Sequence, residues 1–555
     1  MQAIWFQSYP ENVEFEIDLK LFNNLVEMLE LSIQKYPRKT AFHCFKHDLN
    51  YQNWGDYSKA FAYYLKDHLG LKKGDRLGIM LPNVLAFPIV FLGALKAGLT
   101  LVNINPQYTM DELAKIQKDA QLSVLVYWSE LHSQIVNQNL GIPHLIASLP
   151  GDFLPWYKKI IVHHLMKKQG LFSPPPSSAT LLSKACDQGK KYQKSAQNPF
   201  PILEHNDIAL LQYTGGTTGT PKGAMLSHSN LMANVLQSHA WIKPLMQEGQ
   251  EIIVTALPLF HVFSLMANFL LSSYLGAKNI LITNPKDILG FVNIIKNFKF
   301  TAITGVSTLF AMLVRNKTFK ALDFSNLKLT IAGGMALQSI VAKQWLEITG
   351  KPILEGYGLT EASPIVCINP VDIRAYNGYI GLPIPSTQIS IRDPDGHELG
   401  LDNRGELWVK GPQVMQGYWE NPEESSLVLT QDGWLKTGDV AVVNAQGFVK
   451  IVDRIKDLII VGGFNVYPNE IEEVISKCAG VKEVGVVGIG DIGRGEYIKA
   501  VVVKEDPNLS SEQIIDYCKQ HLVQYKIPKV IEFRESLPKS NVGKILRREL
   551  KENAK

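Results

Sequence analysis

The segment YTGGTTGTPKGAMLSH, residues 213–228, combines glycines, threonines and a lysine in a way that suits a phosphate group. Backbone N–H groups approach an anion closely only where Cβ atoms are missing, and threonine hydroxyls supply further donors. Lys222 adds a compact positive charge. We predict a phosphate-binding loop here, while a plain surface turn stays open on composition alone.

The spacing of this segment excludes two common nucleotide-binding loops. The P-loop requires G-x-x-x-x-G-K-[ST], but Lys222 follows Pro221 and precedes Gly223, so no hydroxyl is placed to hold Mg²⁺. The dinucleotide fingerprint G-x-G-x-x-G is also absent, because the glycines lie at 215, 216 and 219. Other segments must therefore decide the chemistry.

Length and composition describe an ordinary folded protein of more than one domain. The 555 residues exceed what a single core accommodates, and 46% of them are hydrophobic while 19% are charged. A net charge of +4 gives no support to nucleic-acid binding as the main activity. The five cysteines are scattered without a C-x-x-C pair, which favours a reducing compartment and core positions over a structural zinc site.

No segment is predicted to cross a membrane. The N-terminus is acidic and lacks both a basic region and a long apolar stretch, so we expect a cytoplasmic protein. Residues 252–277 carry no charge and are long enough to span a bilayer, but Pro258, His261 and several serines divide them. We predict a buried strand, a turn and a helix there.

The segment FLPWYKKIIVHHLMKKQGLF, residues 153–172, mixes aromatic and aliphatic side chains with four lysines. Leu154, Tyr157, Ile161 and Leu165 follow helical spacing, but the lysines do not gather on the opposite face. We interpret the segment as a solvated helix. Weak peripheral association with the inner face of the cytoplasmic membrane stays open as the alternative.

Alternating strands and helices must position these residues. In the first half, apolar strands at 75–81 and 122–128 alternate with helices, one of which opens with a capping box from Thr109 to Glu112. The alternation pauses at a Pro/Ser-rich stretch, 173–179, and we predict that its polar sequel to about 200 is a loop. The regular pattern predicts parallel sheets covered by helices, with ligands at the carboxyl ends of the strands.

We predict an α/β fold with a large N-terminal domain and a small, mobile α/β C-terminal domain. Residues 1–452 form the large domain, built from two α/β subdomains of parallel sheets covered by helices and a small β subdomain near 378–452, where helices stop and short strands take over. The charged run 453–457 is the predicted hinge. Residues 458–555 form the compact C-terminal domain.

Five further segments share the unusual composition of the first. LPLFHVF (257–263) and EGYGLTEASP (355–364) each follow a strand, and GWLKTGDVA, VDRIKDLIIVGGFNVYP and LPKSNVGKILRREL come later in that order. Together with YTGGTTGTPKG they resemble the signature motifs of the acyl-adenylate-forming (AMP-binding) enzymes, from about residue 20 to the end. Within that family the chain looks most like the bacterial long-chain fatty-acyl-CoA synthetases, through LITNPKD, LDFSNLKL, KGPQVMQGYW and FNVYPNEIE.

This resemblance implies an enzyme that activates long-chain fatty acids for degradation and lipid synthesis. ATP and the fatty acid would give acyl-AMP and pyrophosphate, and coenzyme A would then take the acyl group and release AMP. ATP and coenzyme A are the expected co-substrates and Mg²⁺ the expected metal ion. No nucleic-acid partner is expected, and a homodimer is compatible with the sequence.

The resemblance also assigns a nucleotide site. The predicted ligands of the β- and γ-phosphates are Thr214, Gly215, Gly216, Thr217, Thr218, Gly219, Thr220 and Lys222. Tyr357 offers a flat ring to adenine, Thr360 a hydroxyl to the α-phosphate, and Glu361 an oxygen ligand to Mg²⁺. The remaining predicted nucleotide contacts are Gly333 and Gly334 at the adenine, Asp439 and Arg454 at the ribose, and Glu355, Gly356 and Gly358 beside Tyr357.

Lys544 is the catalytic cation that the resemblance places between the fatty carboxylate and the α-phosphate, although a plain lysine in a basic tail is the alternative. Because Lys544 belongs to the small domain, that domain is expected to rotate about Lys456 between the two half-reactions. The rotation would present Gly462, Gly463 and Phe464 to the path of coenzyme A. His261 and Phe263 are expected at the acyl site, where His261 shapes or gates the tunnel or is simply a core histidine.

Two alternatives to this function stay open. A fatty acyl-AMP ligase would load a carrier protein, but the insertion typical of such relatives is not obvious between 378 and 457. A catalytically inactive lipid-binding protein would not need Lys222, Glu361 and Lys544.

Overall fold

The structure, a computed structural model, describes residues 3–168, 179–195, 199–214, 221–462, 464–491, 495–539 and 545–552. Its helices are α1 (Leu25–Lys35), α2 (Tyr51–Tyr63), α3 (Ala86–Lys96), α4 (Met110–Ala120), α5 (His132–Gln138), α6 (Trp156–Lys168), α7 (Leu182–Ser195), α8 (His228–Ile242), α9 (Val262–Ser264), α10 (Leu271–Tyr274), α11 (Ile288–Ile295), α12 (Ser307–Arg315), α13 (Lys317–Lys320), α14 (Ser339–Thr349), α15 (Pro422–Val428), α16 (Pro468–Ser476), α17 (Ser511–His521) and α18 (Arg547–Glu552). Short 3-10 helices lie at Ile4–Ser8, Leu19–Leu21, Ser129–Leu131, Thr360–Ala362, Ile455–Asp457 and Gln524–Lys526, and π-helical turns at Tyr64–His68 and Leu265–Leu270.

The strands form five sheets in the described part of the chain. They are β1 (Thr40–Cys44), β2 (His47–Asn50), β3 (Arg76–Met80), β4 (Thr100–Asn103), β5 (Val124–Trp128), β6 (His144–Ser148), β7 (Thr180–Leu181), β8 (Ile208–Thr214), β9 (Lys222–Ser227), β10 (Ile252–Thr255), β11 (Lys278–Leu281), β12 (Ala302–Gly305), β13 (Leu329–Ala332), β14 (Leu354–Gly358), β15 (Ile365–Ile368), β16 (Leu382–Pro383), β17 (Gln388–Arg392), β18 (Gly405–Lys410), β19 (Leu435–Val443), β20 (Val449–Arg454), β21 (Ile459–Val461), β22 (Phe464–Val466), β23 (Val481–Asp491), β24 (Gly495–Lys504) and β25 (Val530–Phe533).

Two large sheets carry the N-terminal part of the molecule. One runs in the order β7-β6-β5-β3-β4-β8-β9 and the other in the order β16-β15-β14-β13-β12-β10-β11-β1-β2. The first is parallel except for the β8–β9 pair, and the second is parallel from β14 to β1. Strands such as β4, β5, β12 and β13 are buried throughout, as expected where helices cover both faces. The prediction of helix-covered parallel sheets is confirmed.

Smaller sheets follow in the second part of the chain. An antiparallel sheet of β17, β18, β19 and β20 ends at Arg454, the second residue of the predicted hinge 453–457. After it, β23, β24 and β25 pack with α16 and α17 around a separate core that includes Val486, Ile471 and Ile514. A separate core is what allows a small C-terminal domain to fold as a unit.

Three local predictions were wrong or incomplete. The polar sequel to the Pro/Ser-rich stretch contains helix α7, because Leu182, Ala185 and Cys186 give it a buried face; residues 169–178 and 196–198 lie outside the described residues. The opening segment 213–228 was interpreted as a loop, but its residues Lys222–Ser227 form strand β9, which pairs with β8. The β subdomain also holds one short helix, α15, which begins with Pro422.

The uncharged stretch 252–277 folds as predicted into β10 and a helical segment from Val262 to Tyr274. Among the described residues, no helix combines the length and the apolar character that a bilayer crossing requires. All five cysteines are buried and unbridged, as expected for core positions.

Candidate active site

A cavity of about 680 Å³ opens at the carboxyl ends of β8, β13 and β14, where they face β19. The predicted site residues that line it are Thr214, Lys222, His261, Phe263, Gly333, Gly334, Gly356, Tyr357, Gly358, Thr360, Glu361, Asp439, Arg454 and Lys456. Segments more than 200 residues apart in sequence therefore meet at one site, at the sheet edge where ligands were expected.

The predicted phosphate loop connects the two strands of a hairpin. Thr214 ends β8 and lies opposite Lys222, the first residue of β9. Gly215, Gly216, Thr217, Thr218, Gly219 and Thr220 lie outside the described residues. Lys222 forms a 2.6 Å ion pair with Glu424 and lies 5.5 Å from the centre of the Tyr418 ring. These contacts fix the Lys222 charge at the end of the hairpin where the predicted phosphate loop joins β8 to β9.

Glu361 faces the cavity from the 3-10 turn Thr360–Ala362, which follows β14. The Tyr418 hydroxyl donates a 2.8 Å hydrogen bond to Glu361 Oε1, and the Met415 N–H donates to the Glu361 carbonyl at 2.8 Å. Glu361 Oε2 is a second hard ligand atom. Because Mg²⁺ usually takes one or two carboxylates and completes its shell with water and substrate phosphates, Glu361 and Thr360 fit its needs.

Tyr357, Asp439 and Arg454 form a connected polar group. The Tyr357 hydroxyl donates a 2.5 Å hydrogen bond to Asp439 Oδ2, and Arg454 Nε lies 3.2 Å from Asp439 Oδ1. Asp439 and Arg454 are direct cross-strand neighbours in β19 and β20. Burial, reinforced by the Asp439 charge, raises the pKa of Tyr357, which therefore stays a neutral donor.

Glycines form the wall between the two ends of the cavity. A Cβ on Gly333 would lie 3.1 Å from the Phe263 ring and 3.3 Å from the Gly356 carbonyl, and Gly334 has a φ of 79°. Neither position accepts a larger residue without movement. Behind this wall, Glu355 is buried and accepts a 3.0 Å hydrogen bond from the Leu337 N–H, so it supports the wall without lining the cavity. Burial raises the pKa of Glu355 to about 7.

His261 stands at the entrance to the apolar end of the cavity. The Phe263 N–H donates to its Nδ1 at 3.3 Å, so the neutral imidazole carries its proton on Nε2. Burial lowers the pKa of His261 to about 4. A histidine with so low a pKa is a weak base at neutral pH, which agrees with a shaping role.

Beyond His261 the lining is mostly hydrophobic. It is formed by Trp241, Ile242, Val262, Phe263, Ala267, Leu271, Ile368 and Ile384, with one hydroxyl from Ser238. The Trp241 Nε1–H donates to the Asn369 carbonyl at 3.1 Å, which fixes the indole as part of this wall. Such a lining suits a hydrocarbon chain.

The predicted hinge lines the cavity, whereas the described residues of 458–555 do not. Lys456 lines the cavity, and burial together with the nearby Arg454 charge lowers its pKa, while Asp457, Asp439 and Glu361 oppose that change. Gly462 and Phe464 do not line the cavity, and the exposed Phe464 ring stacks on Tyr525 at 4.7 Å. Gly463 and Lys544 lie outside the described residues, so their predicted roles stay predictions.

Comparison with known proteins identifies the family. A family model described as AMP-binding enzyme matches residues 29–419, and a model described as AMP-binding enzyme C-terminal domain matches residues 470–544. The chain belongs to the AMP-binding enzyme family. This AMP-binding enzyme is 45% identical over 557 aligned residues to a long-chain-fatty-acid–CoA ligase of Escherichia coli O6:H1, covering 100% of this chain and 99% of the relative.

Two further similarities cover almost the whole chain of this AMP-binding enzyme. A long-chain-fatty-acid–CoA ligase of Haemophilus influenzae is 43% identical, with 100% of this chain and 98% of the relative covered. The crystal structure of ATP-bound MatB from Rhodopseudomonas palustris superposes with a TM-score of 0.80 at 26% identity, covering 96% of this chain and 99% of MatB.

Sequence reasoning missed four residues that build the site of this AMP-binding enzyme. Tyr418 and Glu424 hold Glu361 and Lys222, and Trp241 forms the apolar wall. The buried Asn83 donates from Nδ2 to the Leu257 carbonyl at 2.9 Å and accepts from the Leu259 N–H at 2.8 Å, which fixes the loop before His261. The segment KGPQVMQGYW contains Tyr418, but its composition does not predict that Tyr418 contacts Glu361.

Proposed function

We propose that this AMP-binding enzyme is an ATP-dependent long-chain fatty acid–CoA ligase. The observation that carries the proposal is one cavity that joins a polar end, lined by Lys222, Glu361 and Asp439, to an apolar end lined by Trp241 and Leu271. A nucleotide and a hydrocarbon chain can therefore occupy the same cavity with the fatty carboxylate between them. The full-length similarity to curated long-chain-fatty-acid–CoA ligases supports this substrate class.

The first half-reaction joins two anions, so the site must neutralise charge. A carboxylate oxygen of the fatty acid attacks the α-phosphorus, and the bond from that phosphorus to the departing pyrophosphate breaks. Lys222 and Thr360 both line the polar end of the cavity, where Lys222 would neutralise the leaving phosphates and the Thr360 hydroxyl would contact the α-phosphate. When bound at Glu361, Mg²⁺ would neutralise phosphate charge.

Asp439 is the residue that we assign to the ribose. Its carboxylate is buried and already bonded to Tyr357 and Arg454, so its position is fixed before the nucleotide binds. Two carboxylate oxygens match two neighbouring ribose hydroxyls. The Tyr357 ring and the Gly333–Gly334 turn then provide flat surfaces for the adenine.

The second half-reaction requires a change of geometry. The sulfur of coenzyme A attacks the acyl carbon, the bond to AMP breaks, and the thiol proton passes to solvent. We propose that residues 458–555 rotate about Lys456 between the steps, so that Lys544 serves adenylation and the segment with Gly462, Gly463 and Phe464 serves thioester formation.

The decisive experiment separates the two half-reactions. Purified protein with ATP, Mg²⁺, oleate and coenzyme A is expected to release pyrophosphate and to form oleoyl-CoA in equal amounts. Pyrophosphate release without a thioester would instead identify a fatty acyl-AMP ligase. Absence of any oleate-dependent pyrophosphate release would contradict both.

Substitution of Lys544 tests the assigned cation. We expect Lys544→Ala to reduce adenylation at least about a thousandfold, because one charge stabilises the transition state, while synthetic acyl-AMP remains a substrate for thioester formation. Lys551→Ala, a change at an exposed lysine in α18, is the matched control and should leave both steps unchanged. Equal loss of both steps in Lys544→Ala would contradict the assignment.

A further inference from the structure

The apolar end of the active-site cavity is bordered by a buried hydroxyl that has no partner. Ser238 lines this end and is 5% exposed, and its Oγ makes no hydrogen bond to any residue that the structure describes. A buried polar group without a hydrogen bond is unfavourable, because it has lost its contacts with water and gained none in return. In a binding cavity, a ligand can supply the missing partner.

Ser238 lies on the face of α8 that borders the cavity. Ser238, Trp241 and Ile242 are three and four positions apart, so they share one face of the helix, and all three line the cavity. The Trp241 Nε1–H is already bonded to the Asn369 carbonyl, and the Ile242 side chain has no polar atom. Of these three side chains, only Ser238 therefore has a hydrogen-bonding group that is still free.

The helix itself does not occupy this hydroxyl. A serine inside a helix can bond to the carbonyl four residues earlier, as Ser272 does when its Oγ donates to the Asn268 carbonyl at 2.5 Å. The corresponding acceptor for Ser238 is the Asn234 carbonyl, and that bond is not formed. The Ser238 hydroxyl is therefore available to a ligand.

The cavity distinguishes Ser238 from the other unpaired serines. Three more serines in the described part of the chain carry a buried Oγ without a partner: Ser58, Ser129 and Ser273. None of these three lines the cavity, so a substrate held there cannot reach them. Among these four serines, Ser238 alone combines an unpaired hydroxyl with a place beside the substrate.

We propose that the apolar end of the cavity accepts acyl chains that carry a hydroxyl group, and that Ser238 hydrogen-bonds to this group. A serine hydroxyl both donates and accepts, so it suits an alcohol, which does the same. The pairing removes two costs together, because a chain hydroxyl buried in an apolar cavity would also lack a partner. The inference rests on the proposed function, since it names a class of fatty acid for the same cavity.

Hydroxyhexadecanoates that differ only in the carbon that carries the hydroxyl test the proposal. Pyrophosphate release with ATP, Mg²⁺ and coenzyme A gives kcat/KM for each acid, and division by the value for hexadecanoate gives a hydroxyl preference. Because Ser238 is fixed on α8, we expect one or two neighbouring positions to exceed the rest of the series about tenfold, the effect of one hydrogen bond. Ser238→Ala should lower the preference at that position about tenfold.

Ser273→Ala is the matched control, since it removes another buried and unpaired serine hydroxyl that lies away from the cavity. Its hydroxyl preference should equal that of the unaltered protein. A series without a favoured position would overturn the proposal, and so would a preference that survives Ser238→Ala. A lower melting temperature of ligand-free Ser238→Ala than of Ser273→Ala would also overturn it, because the hydroxyl would then already have a partner such as a fixed water molecule.

Binding without ATP separates this outcome from the proposed function. Displacement of the fluorescent fatty acid cis-parinarate measures the affinity for each hydroxy acid, and the favoured acid should bind about tenfold more tightly to the unaltered protein than to Ser238→Ala. Protein that shows this difference but releases no pyrophosphate with any acid would contradict the ligase activity and support the hydroxyl site. Acyl-CoA formation from hexadecanoate, with equal affinities of both proteins for every hydroxy acid, would support the ligase activity and overturn the hydroxyl site.

Discussion

The charges of the active site are already paired with one another before substrate arrives. Lys222 contacts Glu424, Arg454 contacts Asp439, and Tyr418 donates to Glu361. A nucleotide must therefore exchange these contacts for contacts with its own phosphate and ribose groups. Before it binds, the pair with Arg454 offsets the cost of burying the Asp439 carboxylate. Preorganised charge of this kind requires little movement at the moment of reaction.

Tyr418 offers a test of this arrangement at a residue outside the recognised motifs. Tyr418→Phe removes the donor to Glu361 and keeps the ring beneath Lys222. Because a carboxylate without its supporting hydrogen bond is less well oriented, we expect the Mg²⁺ concentration for half-maximal adenylation to rise about tenfold. Titration of pyrophosphate release with Mg²⁺ measures it. Tyr379→Phe, at a ring packed on Phe448, is the control, and an unchanged Mg²⁺ requirement in Tyr418→Phe would remove Tyr418 from the metal site.

His261 makes a pH-dependent contribution to stability. Burial lowers its pKa from 6.5 to about 4, so between these values the unfolded chain binds a proton that the folded protein does not. The unfolded state is therefore favoured as the pH falls below 6.5. When the pH falls from 7 to 5, we expect the unaltered protein to lose about 2 kcal/mol more free energy of unfolding than His261→Gln loses. Urea unfolding at both pH values measures it, and an equal fall in the two proteins would contradict the contribution of His261.

At the scale of elements, local patterns predicted most of the fold. The capping box from Thr109 to Glu112 forms as expected, and the apolar strands assemble into parallel sheets. Helix α7 was missed because its mean composition is polar and its few buried residues follow a Pro/Ser-rich stretch. Its packing depends on Gly189, where a Cβ would lie 1.8 Å from the Ala60 carbonyl, and sequence does not reveal such a close approach to α2.

The missed site residues have a similar cause. The segment 417–419 is hydrogen-bonded along β9, with the Trp419 N–H donating to the Gly223 carbonyl at 2.8 Å. This contact between residues almost 200 positions apart brings Tyr418 to Glu361. The motifs predicted residues that line the cavity. The residues that support them are brought into place by long-range pairing, which periodicity does not encode.

Arg547 joins the C-terminal segment to the hinge. Its guanidinium donates to Asp453 at 3.1 Å, to Asp457 at 3.0 Å and to Glu472 at 2.9 Å, and it lies three residues after Lys544. Arg547→Met would leave the buried Asp453 and the half-buried Glu472 without their cation. We expect the small domain to lose about 3 kcal/mol of unfolding free energy.

Native-state hydrogen exchange of the β23–β25 amides, with trypsin susceptibility as a second measure, would test this loss. Lys519→Met, which removes an exposed ion pair with Asp516, is the control and should cost less than about 1 kcal/mol. In Arg547→Met, the added change Glu472→Gln should restore part of the loss, because one unpaired charge is removed. A double variant no more stable than Arg547→Met would show that Glu472 is not the partner that matters.

At the scale of the whole molecule, the described residues that line the cavity come from the large sheets, the antiparallel sheet and the turn after it, and we propose that the small domain completes the active site. Residues from Ile459 onward pack around a core of their own. Lys456 lies between these two parts, in the turn Ile455–Asp457, and lines the cavity, which is why we propose it as the pivot. Any rotation of the small domain must change backbone angles near this residue.

A proline at this position tests the rotation. Lys456→Pro fixes φ near −65°, a value compatible with the 3-10 turn observed here, and it restricts the change of angle that rotation requires. If this geometry supports one half-reaction, the other should slow about a hundredfold while the first changes only a few-fold.

Lys456→Ala removes the same side chain but leaves the backbone free, so its two half-reactions should decline together. Two separate assays test the pivot: pyrophosphate release measures adenylation, and conversion of synthetic acyl-AMP to acyl-CoA measures thioester formation. A proline variant that behaves like the alanine variant in both assays would show that the backbone at 456 does not act as the pivot.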